Sequence, residues 1–80
     1  MKFYILTEHE KTQEKQLTQL LVNVSAKLRG CNNSGYSDEE FEKDKVIQKT
    51  LIQALAFLGN GDGYNYTIAL DRLDDLDVKL

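Results

Sequence analysis

The chain has 80 residues, 41% of them hydrophobic and 29% charged, with a formal net charge of −3. That composition belongs to a folded domain rather than a disordered segment, and its weakly acidic field repels phosphates, which argues against nucleic acid as a partner. No apolar run reaches the length of a membrane span, and the lone cysteine, Cys31, excludes an internal disulfide and fits a reducing compartment.

These features predict a single domain over residues 1–80, cytoplasmic and without a membrane segment. The apolar stretch after Lys2 is too short for a secretory leader. A chain of this size buries only roughly 60–65% of its unfolded surface, so self-association is an expected remedy. Val22, Val46, Ile52 and Phe57, which flank the main apolar stripes, point the same way. The charge is unevenly spread. Residues 1–36 carry five Lys/Arg and three Glu, net +2, whereas residues 37–80 carry five Lys/Arg and ten Asp/Glu, net −5.

In chain order, residues 2–6 (Lys-Phe-Tyr-Ile-Leu) favour extended backbone and predict a short strand. Thr7 and Glu10 form a T-x-x-E capping box that starts a helix. That helix runs to about Arg29, with Leu17, Leu20, Leu21, Val24 and Leu28 as an apolar stripe and Gly30 as its stop. Its first turns, His9 to Gln16, are wholly polar and are expected to project into solvent.

Residues 30–36 are a turn by composition. Ser37 and Glu40 open a second helix with another capping box, backed by Asp38 and Glu39 at the positive end of its dipole. Phe41, Ile47, Leu51, Leu55 and Leu58 share one face, and Gly59 is the expected C′ residue. The short connection makes these two helices antiparallel neighbours.

After residues 59–63 (Gly-Asn-Gly-Asp-Gly), residues 64–70 alternate. Tyr64, Tyr66, Ile68 and Leu70 fall to one side and Asn65, Thr67 and Ala69 to the other, which predicts a strand. Residues 71–80 would follow as a short acidic helix. A competing pattern makes residues 65–80 one helix, because Tyr66, Ala69, Leu73, Leu76 and Leu80 also fit a helical stripe. The predicted fold is therefore α+β: a long antiparallel two-helix hairpin crossed by a short two-stranded antiparallel sheet from the chain ends. Three helices, all-α, is the alternative.

Chemistry-bearing motifs are few. The Gly-rich stretch 59–63 follows a helix and lacks Gly-Lys-Ser/Thr, so it reads as a cap and turn rather than a phosphate cradle. As a calcium loop from Asn60 it has Asn65 where the invariant glycine belongs and Asp71 where a bidentate Glu belongs. His9 and Cys31, the one nucleophile–base pair available, lie at opposite ends of the first helix, roughly 30 Å apart. One His and one Cys also offer no zinc site of the usual kind. The reading is thus non-enzymatic, with no cofactor and no metal.

What remains is surface. Asp71, Asp74, Asp75 and Asp77 crowd like charge into one segment that has no evident local use for it. Tyr64 and Tyr66 are anchor-type residues beside them. Together these six residues predict an acidic, tyrosine-bearing face of a small regulator or inhibitor that docks a partner protein. Size and composition suit a product of a phage or mobile element. The alternative is an oligomeric small-ligand or nucleotide binder, its site assembled between protomers near Tyr36, Lys43 and the Gly-rich loop.

Overall fold

The computed structural model describes residues 6–30 and 37–78, and every regular element among them is α-helical. Helix α1 spans Glu8–Arg29, α2 spans Asp38–Gly59 and α3 spans Gly63–Asp75. Thr7 starts α1 with a complete capping box: its hydroxyl accepts from the Glu10 N–H at 3.2 Å, and the Glu10 carboxylate accepts from the Thr7 N–H at 3.0 Å. At α2 the Ser37 hydroxyl accepts from the Glu40 N–H at 3.1 Å.

Helix α2 is the middle of the molecule. Its buried Ile47, Leu51, Ala54 and Leu58 form a stripe that serves α1 on one flank and α3 on the other. Helix α1 contributes Leu17 and Val24, and α3 contributes Tyr66, Ala69 and Leu73. The most fully enclosed large side chains, Leu17, Leu51 and Leu73, come one from each helix. Leu6, Leu20, Leu21, Leu55, Phe57, Leu70, Leu76 and Val78 close around them.

Side-chain bonds fix the directions. Lys27 pairs with Asp44 at 3.0 Å and Gln48 donates to Ser25 at 3.0 Å, which sets the end of α1 against the first half of α2. Lys43 pairs with Asp77 at 3.6 Å, which sets the end of α3 there too. At the opposite end the Tyr66 hydroxyl donates to Gln13 Oε1 at 3.0 Å. Helices α1 and α3 therefore both run antiparallel to α2. Each packs along α2, with no comparable backbone approach between α1 and α3. The result is elongated, 45 × 22 × 20 Å.

The expected α+β fold is overturned, because residues 64–70 are helical and no strand occurs among the described residues. Residues 2–5 themselves lie outside the described residues. Of the separate terminal helix expected over residues 71–80, residues 71–75 are instead the second half of α3, and residues 79–80 lie outside the described residues. The turn decides the outcome. Helix α2 continues through Gly59, the residue expected to stop it, and it is Gly61 that takes the left-handed conformation (φ 71°). The Gly61 N–H bonds the Leu58 carbonyl at 3.2 Å and the Asp62 N–H bonds the Phe57 carbonyl at 2.9 Å, the two bonds of a Schellman ending. Asp62 then caps α3: its carboxylate accepts from the Asn65 N–H at 3.3 Å and from Asn65 Nδ2 at 2.7 Å. Thr67 and Ile68, the β-favouring residues, sit on the solvent side, where packing does not enforce a strand.

Gly30 ends α1, as the sequence predicts, with φ −93°. One smaller expectation also changes. The polar start of α1 does not wholly project into solvent, because Gln13 is half-buried beneath Tyr66.

The turn generates a contrast. Gly59 is helical with nothing within 4 Å of an added Cβ, so Gly59→Ala should stabilise by about 0.5–1 kcal/mol. Gly61→Ala should destabilise by about 1–2 kcal/mol, the cost of a Cβ in the left-handed region. Urea midpoints moving in the same direction for both would refute this turn. In the core, Leu51→Ala should cost about 2–5 kcal/mol. Half-buried Leu21→Ala should cost less, and equal losses would show that the faces of α1 and α2 are wrongly phased.

Candidate functional site

Helix α3 has two unlike sides. Tyr66, Ala69 and Leu73 turn inward. Tyr64, Ile68, Asp71 and Asp75 recur at i, i+4, i+7 and i+11, which places them on one outward stripe. Tyr64 is 78% exposed and Ile68 37%, and Asp71, Asp74 and Asp75 are exposed. Among the described residues, none of these three carboxylates has a cation within ion-pair distance.

The structure separates the residues that the sequence grouped. Tyr66 is not on the Tyr64 face. It is 9% exposed and spends its hydroxyl on Gln13. The period-two alternation had put the two tyrosines side by side, whereas in a helix residues two apart point nearly opposite ways. Asp77 does have a local use. It occupies the left-handed position (φ 63°) that ends α3, with its N–H on the Asp74 carbonyl at 3.0 Å and the Val78 N–H on the Leu73 carbonyl at 2.9 Å. Its side chain meets Lys43. Asp44 is 7% exposed and pairs with Lys27 across the α1–α2 contact.

Of the alternative ligand site, Tyr36 lies outside the described residues, as does Cys31. Lys43 is engaged by Asp77, and it sits about 27 Å along α2 from Gly61. One chain therefore does not bring Lys43 and the Gly-rich loop together. The positive end of α3 is already filled by the Asp62 carboxylate. His9 is exposed on the first turn of α1. Among the described residues no group of three or more His, Cys, Asp or Glu could hold a metal ion, and no helix is long and apolar enough to cross a membrane.

Sequence reasoning missed a groove. Val46, Lys49, Thr50 and Gln53 of α2 face Arg72, Asp75 and Leu76 of α3 across an open depression of about 490 Å³. The α2 residues follow i, i+3, i+4, i+7 and the α3 residues i, i+3, i+4, so each set is one helix flank. That spacing was present in the sequence, but a strand at 64–70 left it no opposite wall. The Thr50 hydroxyl is occupied, donating to the Val46 carbonyl at 2.8 Å. Lys49 and Arg72 are the cations of α2 and α3 without an ion pair among the described residues. Lys43 meets Asp77, and Lys45 meets Glu42 at 3.7 Å and lies over the Phe41 ring at 5.1 Å.

The exposed Val46 and Ile52 do not share one face of α2. Val46 and Ile52 lie about 120° apart around α2, and Phe57 packs against the core. Comparison with protein-family models, curated proteins and solved structures finds no match for the chain.

Burial holds the Tyr66 phenol above its ordinary value of 10.0, and the nearby Glu10 carboxylate adds to the rise. In the unfolded chain this phenol ionises near 10, so the fold binds its proton more tightly. The contribution is whole below pH 10 and is lost as pH climbs through the folded value. Tyr66→Phe should cost about 0.5–1.5 kcal/mol at pH 7 through the lost hydrogen bond. It should also flatten the decline in stability above pH 10. Parallel urea midpoints for wild type and variant between pH 9 and pH 11.5 would contradict this.

Proposed function

We propose that the protein is a non-enzymatic interaction module, a small regulator or inhibitor that docks a partner protein through the outward face of α3. The observation that carries the reading is the exposed stripe of Tyr64, Ile68, Asp71 and Asp75, with Asp74 beside it. Asp71 and Asp74 are three apart and Asp71 and Asp75 four apart, so they repel along the helix at some cost to α3 itself. Asp62 supplies the cap and Asp77 the ending, and neither job needs the other three. Charge with no local structural use is suited to an external one: it steers a basic surface toward the face and sets its register. Tyr64 then serves as the anchor, with a large apolar body and a polar tip at little entropic cost.

The test uses a partner recovered by affinity capture and then purified. Asp71→Asn, Asp74→Asn and Asp75→Asn together should slow association about tenfold or more at low salt and flatten its salt dependence. Thermal stability should be unchanged or slightly raised. Tyr64→Ala should act mainly on dissociation. A triple variant that associates at the wild-type rate across a range of salt would sink the docking face.

A further inference from the structure

We infer that the groove between α2 and α3 receives an amphipathic helix of the partner, one that presents a carboxylate a single turn away from an apolar anchor. This deepens the docking reading and rests on it. The two helices run antiparallel, with Lys43 paired to Asp77 near one end. Lys49 lines the groove from α2 and Arg72 lines it from α3. They stand in the half of the chain whose balance is −5, and neither has an ion pair among the described residues. Two cations on opposite walls, each without an ion pair among the described residues, offer a clamp to one anionic group, with Arg72 able to hold a carboxylate through two parallel bonds.

About one helical turn toward the end of α3 the lining changes. Val46, 51% exposed, and half-buried Leu76 form an apolar seat, with Asp75 at its edge. A helix laid along the groove meets both places with residues three or four apart. The carboxylate enters between Lys49 and Arg72, the apolar side chain rests on Val46 and Leu76, and a neighbouring Lys or Arg reaches Asp75. Asp75 thus belongs both to the acidic face and to the groove. It ties the groove to the stripe of Tyr64, Ile68 and Asp71 as one continuous surface. The groove volume lies within the ordinary size of a recognition cleft, roughly 300–1,000 Å³. A depression open to solvent and walled by two helix flanks suits a rod better than an enclosed small molecule.

The probe is a synthetic helical peptide of about four turns with Glu and Leu one turn apart and Lys beside the Leu, titrated into the isotopically labelled protein. Amide shifts should concentrate at residues 46–53 and 68–76. The Lys49→Glu, Arg72→Glu double variant should bind about tenfold more weakly, the scale of two partly screened charge contacts. A second peptide with Lys in place of that Glu should prefer the double variant to wild type, and this rescue excludes mere loss of folding. Shifts centred on α1, or an unchanged affinity in the double variant, would overturn the groove assignment. The captured partner separates the two readings. If neutralising Asp71, Asp74 and Asp75 slows its docking but the Lys49/Arg72 reversal does not touch its affinity, the groove is wrong and the docking face stands. If the reversal abolishes binding while the neutralisation has no effect, the groove stands and the acidic face is wrong.

Discussion

Everything in this fold follows from how the chain turns at Gly61 and Asp62. Gly61 takes a left-handed conformation that an L side chain adopts only at a cost. Asp62 has two duties. Its N–H closes the end of α2 on the Phe57 carbonyl, and its carboxylate opens α3 at the Asn65 N–H. With one residue serving as the end of one helix and the cap of the next, α3 must fold back along α2. Its apolar stripe then meets a face of α2 broad enough to hold a helix on each flank. Without α3 folded back along α2, the core would lose Tyr66, Ala69 and Leu73, and the groove would lose one wall.

The same turn sorts the residues of α3 by use. The inward set, Tyr66, Ala69 and Leu73, completes the core. Tyr66 also ties α3 to α1 through its hydrogen bond to Gln13. The outward set is left with aromatic, apolar and acidic groups at helical spacing and no structural duty. Beside it runs a groove lined by two cations, Lys49 and Arg72, that have no ion pair among the described residues. On the docking proposal, an acidic rim next to two cations would select partners by charge arrangement rather than by net charge, and so penalise wrong partners as well as favour the right one.

The two long helices were legible in the sequence because local and nonlocal signals agree there. Thr7 and Ser37 cap, and the stripes through Leu17 and Leu51 have a single period. Residues 64–70 were not legible, because Tyr66, Ile68 and Leu70 satisfy a period of two while Tyr66, Ala69 and Leu73 satisfy a helical one. Seven residues do not discriminate between those periods. The deciding information is the surface offered by α2, which no local window contains. The turn was placed two residues early, at Gly59, because any glycine after an apolar stripe looks like a stop. Only the Asp62 cap shows which glycine must be left-handed. The acidic face was half visible from composition. Tyr66 and Asp77 entered it wrongly because both the inward turn of Tyr66 and the helix ending at Asp77 depend on α3 being a helix. The groove was invisible for the same reason.

The central claim is that residues 63–75 form one helix packed on α2, and backbone NMR tests it directly. The account predicts helical Cα secondary shifts without interruption from Gly63 to Asp75, with nuclear Overhauser contacts from the Tyr66 ring to Gln13. Extended-chain shifts at residues 64–70, with cross-strand contacts to residues 2–6, would contradict it and restore the sheet in place of α3.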